Sequence, residues 1–489
     1  METKGVQNYD SRLMNEDLKP IPKGQRKWTW FSYMALWMGI VHNIFNYSVA
    51  ASLIVLGMNI WQALLTIFVA NIVLMVPLAL NGHAGSKFGI SFPIYARLSF
   101  GVFGANVPAL IRAFVAIGWF GIQSYLGAMA LNVLMLKVIP FWSDLSTVFF
   151  GLPINSWISL IAFWILEAVL AIHGMEVIRR FENWAGPVIL VLMLGLVYWA
   201  YNILHGVGPI LHQPSKFHSV GEFLPVFFPA VITVVGSFAT MALNIPDFTR
   251  FSRSSKDQVI GQILGLPITT FFFSLMSAFI TSATVIAYGK AIWDPVELFK
   301  HFDNTIVLVI GAACLAAATI SVNVAANLVS PIYDLINAFP KKLNYKRSAI
   351  ISIVLAFLIM PWKLMQSPDS VHLLLNTAGA FLGPATGIVI ADFWIIRKCQ
   401  VSVDDLYKVE GIYEYKKGFN IYALITMVVG MILSFGGNFI PALKFVSGYG
   451  WLIGILVGFF GYYALMKLTG TGPLQIDTAE YEKNEAQKL

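Results

Sequence analysis

Residues 36–46 read Leu36-Trp37-Met38-Gly39-Ile40-Val41-His42-Asn43-Ile44-Phe45-Asn46, in the middle of an apolar run from 31 to 55. A glycine followed by three polar side chains is costly at the centre of a stretch long enough to cross a bilayer. An interruption of this kind exposes backbone carbonyls and amides, which hydrocarbon tolerates only where the backbone lines a cavity. A second run, 224–244, carries Pro229, Gly236 and Ser237 and leads into Asn244-Ile245-Pro246-Asp247. Two interrupted spans point to a binding site near the membrane midplane. Close helix packing at small residues is the alternative reading of Gly39 and Gly236.

Outward from these runs the whole chain reads as an integral membrane protein. Of 489 residues, 57% are hydrophobic and only 12% charged, and the mean hydropathy is +0.72; soluble chains carry roughly 25% charged residues. Apolar stretches at 31–55, 60–82, 104–136, 156–175, 184–204, 224–244, 262–288, 304–330, 347–362, 371–395, 420–438 and 448–467 predict twelve spanning helices, an all-α fold. Lysine and arginine resist translocation. With the N-terminus cytoplasmic, the loops on that side hold Lys87, Arg97, Arg179, Arg180, Arg250, Arg253, Lys341, Lys342, Arg397 and Lys398 among others, against Lys137, Lys216, Lys290, Lys300, Lys363 and Lys444 opposite. Both termini are therefore expected inside the cell. Residues 1–30 lack the apolar core of a cleavable signal, so the first span acts as the insertion signal. The net charge of +7 forms no nucleic-acid-binding stripe.

Parity relates spans 1–5 and 6–10 as an inverted repeat with two helices appended. The expected organisation is a tail over 1–30, a core over 31–395 with repeats at about 31–204 and 224–395, a loop over 396–419, two further helices over 420–467 and a tail over 468–489.

Polar side chains inside the spans mark the candidate site. Trp119 and Gln123 lie one turn apart on the third span, where an indole stacks a flat ring and an amide reads its edge. Asn323 and Asn327 lie one turn apart on the eighth, near Ser321, and suit either a hard cation or a neutral polar ligand. Interhelical hydrogen bonding is the alternative for each pair. Glu167, Asp247 and Asp392 are the carboxylates within or at the ends of spans; Asp247 with Arg250, and Asp392 with Arg397, are expected to form structural ion pairs. No lysine or arginine is read at mid-depth, which favours a neutral substrate. His42 is either a proton carrier or a neutral hydrogen-bonding residue. The lone cysteines Cys314 and Cys399 build neither a disulfide framework nor a thiolate metal site, and no Walker, zinc-protease or Gly-x-Ser-x-Gly pattern occurs. An enzyme, an organic cofactor and an obligatory protein partner are not expected.

Taken together, Leu36-Trp37-Met38-Gly39, Asn81-Gly82-His83-Ala84-Gly85, Trp119-Phe120-Gly121-Ile122-Gln123, Asn244-Ile245-Pro246-Asp247-Phe248-Thr249-Arg250, Pro361-Trp362-Lys363 and Ser402-Val403-Asp404-Asp405 resemble the nucleobase:cation symporter-1 family over nearly the whole chain, and its bacterial allantoin-permease branch most. The resemblance implies the leucine-transporter fold and cation-coupled import of allantoin or a similar neutral ureide or nucleobase by alternating access. It implies that Trp119 and Phe238 sandwich the ring, that Gln123 and Asn327 hydrogen-bond it, and that Asn43 and Ser237 line the site. A uracil or cytosine permease is the alternative within the family; a non-accumulating channel or sensor is the alternative outside it. Phe238 departs from the tryptophan of the hydantoin and allantoin carriers and is similar to cytosine permease. The family's sodium site maps to Gly39, His42, Ala318 and Ser321, but Val322 removes one hydroxyl. Losing one of about five oxygens weakens a hard-cation site, so a proton is expected to be the coupling ion, with His42 its candidate carrier.

Overall fold

The structure, a computed structural model, describes residues 9–42, 44–206, 208–299, 301–302, 304–365, 368–436 and 448–470, with backbone alone for 44, 45, 48 and 368–378. The first span is two helices, α1 (Trp30–Val41) and α2 (Ile44–Val55). His42 leaves helical geometry at φ −80°, ψ 65°. Asn46 Nδ2 donates to the Val41 carbonyl at 2.8 Å and so satisfies one acceptor orphaned by the break. α3 (Ile60–Phe88) starts at a capping box between Asn59 and Gln62 and ends where Gly89 turns left-handed at φ 73°.

The next elements are α4 (Phe92–Phe100), α5 (Asn106–Val138), a two-residue hairpin of β1 (Val148–Phe149) and β2 (Leu152–Pro153), α6 (Ile154–Ile172) and α7 (Met175–Leu204). The sixth span is again divided: α8 (Val220–Gly236) is followed by α9 (Met241–Asn244) and α10 (Pro246–Thr249), bent by 51°. α11 (Ser255–Ile263) and α12 (Thr269–Tyr288) join through a π turn, and α13 (Pro295–Phe299) lies in the following loop. In the eighth span α14 (Thr305–Val322) continues through a π turn over Asn323–Leu328 into α15 (Val329–Ala338). The chain closes with α16 (Tyr345–Leu358), α17 (Pro361–Leu364), α18 (Pro368–Ile390), α19 (Ile421–Phe435), α20 (Gly450–Leu456) and α21 (Tyr462–Leu468). Among the described residues eight helices are long and apolar enough to cross a membrane, and the bent pair is a ninth. The first span's two halves, α16 and α19 complete twelve.

Hydrogen bonds gather the basic loops at one end of the bundle. Arg26 donates to the Ser86 carbonyl, Lys87 to that of Cys399, Arg97 to that of Leu406, and Asn15 to those of Pro340 and Leu343. Residues 9–29 are thus a docked strap, with Leu13, Leu18 and Trp28 buried, where the sequence suggested a free polar tail. α4, read as loop, is buried along its whole length.

The pairing expected between Asp247 and Arg250 does not form. Arg250 donates to the Asp17 and Lys19 carbonyls and lies over Phe251 and Tyr333, while Asp247 Oδ1 accepts from the Phe92 amide at 2.8 Å. Residues three apart face the same side of a helix, but here the strap supplies carbonyls to the guanidinium first. The Asp392–Arg397 pair does form, at 2.8 Å.

Candidate functional site

The two helix breaks face one narrow cleft of about 40 Å³. Trp119, Gln123, Ser237, Phe238 and Asn327 all line it. Trp119 and Gln123 arrive on one face of α5 because they are four residues apart. Phe238 comes from the non-helical bend after α8, where the Phe238 amide bonds to the Val235 carbonyl at 3.2 Å and the Met241 amide to that of Phe238 at 2.9 Å. Trp37 packs edge-on against the Phe238 ring, with centroids 5.8 Å apart at 84°. Asn43 lies outside the described residues. Asn46, Thr240, Val322 and Ala326 also line the cleft and were not read as site residues; Asn46 stood in the interrupted stretch, and its polarity was the available signal.

The two glycines differ. A Cβ on Gly236 would meet nothing within 4 Å, so close packing does not explain it, whereas a Cβ on Gly39 would lie 2.1 Å from Ser321 Oγ. Gly39→Ala is therefore expected to push α1 off α14 and to lower transport about tenfold or more with membrane insertion retained, since overpacking costs roughly 1–3 kcal/mol. Uptake normalised to surface protein checks this; wild-type uptake would mean that the contact is not needed.

Behind the cleft runs a buried polar chain. Asn323 Nδ2 points at the Phe120 carbonyl (3.0 Å), Ser124 Oγ (2.9 Å) and Glu167 Oε1 (2.7 Å), and Ser124 also donates to Glu167 Oε2 at 2.6 Å. A carboxylate and a carbonyl only accept, so the Asn323 amide has one orientation, with its oxygen toward Asn327. Asn327 Nδ2 donates to that oxygen at 3.0 Å. The Asn327 carbonyl oxygen is then left for the cleft. The π turn over Asn323–Leu328 holds both amides, and such turns recur at functional sites.

Gly39, His42, Ala318 and Ser321 lie where α1 meets α14. His42 is 1% exposed, its Nδ1 bonds to the Met38 carbonyl, and its ring packs edge-on to Phe273 with centroids 4.5 Å apart. Ser321 Oγ donates to Glu182 Oε2 at 2.5 Å. Glu182 falls just before the expected fifth span, 184–204, because the structure starts this helix at Met175.

A buried cation does lie below mid-depth, near the start of α5. Arg112 is 1% exposed, roughly 10 Å along α5 from Trp119 at the helical rise. It donates to Asn244 Oδ1 at 3.2 Å and to the Ala326 carbonyl at 2.9 Å, so its charge is turned to the framework under the cleft. A larger hollow beside α7 and α14 is walled by Met193, Trp199, Phe299, Phe302 and Leu315 and is too apolar for a hydrogen-bonding ring. Among the described residues no three His, Cys, Asp or Glu side chains cluster as a metal site.

Two spans broken at mid-membrane around a cleft with aromatic walls and amide edges define a membrane carrier of the alternating-access type. A family described as permease for cytosine/purines, uracil, thiamine and allantoin matches residues 20–454, and the chain belongs to it. It is 44% identical over 483 residues, 98% of this chain and 99% of the relative, to the allantoin permease of Bacillus subtilis (strain 168). It is 36% identical to the purine-uracil permease of Arabidopsis thaliana, over 87% of this chain and 71% of that one. A nucleobase-cation-symport-1 family transporter, solved in a closed conformation with bromovinylhydantoin bound, superposes with a TM-score of 0.81 at 24% identity over 98% of this chain and 100% of that one. The fold is the leucine-transporter fold, two inverted five-helix repeats with two further helices, and the chain is a multi-pass secondary transporter and not an enzyme.

Proposed function

We propose that the chain imports allantoin, or a neutral ureide or nucleobase ring like it, across the cell membrane by cation-coupled alternating access, with both termini cytoplasmic. One observation carries this reading: Trp119, Phe238, Gln123 and Asn327 meet in one cleft at the two helix breaks. Two aromatic faces bind a flat ring, and two amides bind its edge without asking for net charge. The relative named an allantoin permease supports the choice of ring. Phe238, in place of a larger indole, favours a second reading, uracil or cytosine.

Uptake of labelled allantoin into cells, with unlabelled uracil, cytosine and hydantoin as competitors, separates the two. Allantoin is expected to accumulate above its external concentration and to be displaced most strongly by itself. Stronger displacement by a pyrimidine would install the second reading, and binding without accumulation would make the chain a sensor. For the driving ion the reading stays with a proton, because Val322 removes one hydroxyl from the sodium site; His42 borders the apolar hollow beside α7, and Glu182 places a buried carboxyl beside Ser321.

A further inference from the structure

Glu167 is the only charged side chain of α6 and is wholly buried. α6 packs on α5, α7, α16, β2 and the π turn of the eighth span. Ser124 reaches the carboxyl from α5, and Asn323 reaches it from the π turn. Among the described residues no lysine, arginine, histidine, tyrosine or second carboxylate on any of these elements acts on it, and no ion pair includes it. Ionised in this place, the carboxylate would have no counter-charge, the costliest way to bury an acid.

The hydrogen bonds around it can be completed in two ways that differ by one proton. Ser124 Oγ stands 2.6 Å from Glu167 Oε2 and 2.8 Å from the Phe120 carbonyl, and a hydroxyl has a single hydrogen for the two contacts. With Glu167 ionised, Ser124 gives that hydrogen to the carboxylate, and the Phe120 carbonyl is left to Asn323 Nδ2, 3.0 Å away. With Glu167 protonated, Oε2 donates to Ser124, Ser124 donates to Phe120, and Oε1 still accepts from Asn323 at 2.7 Å. Neither form orphans a buried polar group, and Asn323 keeps the same orientation in both.

We propose that Glu167 carries the proton that drives transport. The inference rests on the proton-coupled reading above and gives it a carrier on the fourth span, away from the junction of α1 with α14. Asn327 lines the cleft, and two hydrogen bonds, Asn327 to Asn323 and Asn323 to Glu167, separate it from the carboxyl. A ring seated in the cleft displaces water there, which penalises the charged form of the acid behind it. Ring and proton are thereby taken up together, and each raises the affinity for the other by the same factor.

The test uses the purified full chain in lightly buffered detergent solution and in proteoliposomes. Allantoin, or the pyrimidine that displaces it better, is added while a pH electrode follows the medium. The wild type is expected to take up about one proton per ring bound, and its ring affinity to fall by up to about tenfold per unit rise in pH. Glu167→Gln holds the hydrogen-bond pattern of the protonated form with no proton to lose. It is expected to bind the ring and to exchange labelled for unlabelled ring, while proton uptake, pH dependence and accumulation driven by a pH gradient are lost. Glu176→Gln, which removes an exposed ion pair on α7, is expected to match the wild type. If Glu167→Gln does not bind the ring by tryptophan fluorescence, Glu167→Asp takes its place and is expected to retain proton uptake; ring binding by it without proton uptake overturns the proposal. Proton uptake by Glu167→Gln equal to that of the wild type also overturns it, leaves the proton reading standing and returns the carrier role to His42. A wild type that accumulates the ring on a sodium gradient and takes up no proton overturns both.

Discussion

Trp119→Ala is expected to weaken heterocycle binding about ten- to a hundredfold, because stacking a ring on an aromatic face contributes roughly 1–3 kcal/mol. The indole lines the cleft at the level of both helix breaks, with Gln123 one turn away and Phe238 across the bend. Trp119 is only partly buried, so its removal opens the cleft to water more than it hollows the core. Membrane insertion should persist and the loss should appear in affinity. Trp119→Phe keeps a π face of smaller area and should lose less. Competition binding on membranes, normalised to protein, measures both. Unchanged affinity for every ring in Trp119→Ala would put the ring somewhere other than this cleft.

Glu167→Leu is expected to cost about tenfold or more in affinity, since a buried amide deprived of its partner is penalised by roughly 1–3 kcal/mol. The larger consequence is for selectivity. Glu167 does not line the cleft; it fixes Asn323, whose oxygen fixes Asn327, so that an acceptor faces the substrate. A ring N–H satisfies that acceptor and an N-methyl group does not, so the wild type should strongly prefer the N–H form. In Glu167→Leu the Asn323 amide is released and the preference should shrink. Glu167→Gln is expected to restore it, because its carbonyl can accept from Asn323 while its amino group donates to Ser124, a hydroxyl able to accept. The measurement is the ratio of affinities for a ring and its N-methylated analogue in the three proteins. A merely structural role would lower expression of Glu167→Leu without moving that ratio.

Much of the site was legible because its signals are local. Gly39 with His42, and Gly236 with Ser237, break apolar runs whose continuity the bilayer would otherwise demand, and the chain does break there. Trp119 and Gln123 share a face by helical period alone. What escaped lay where charge disguised burial. Arg179 and Arg180 lower the hydropathy before residue 184, so the expected fifth span left Glu182 out, although α7 carries it into the bundle. Arg112 fell inside the expected third span, 104–136, but no local signal marked it as buried, and the polar residues 9–29 gave no apolar sign that they would dock.

The sequence by itself determined the twelve spans, the two interruptions and the side chains Trp119, Gln123, Ser237, Phe238 and Asn327, since hydrocarbon acts on each segment separately and penalises every polar group it contains. Only the tertiary structure decided which polar groups are partners. Arg250 took the strap and not Asp247, Asn323 took Glu167, and Ser321 took Glu182. The physical reason is distance along the chain: Glu182 and Ser321 are 139 residues apart, and no local period relates them.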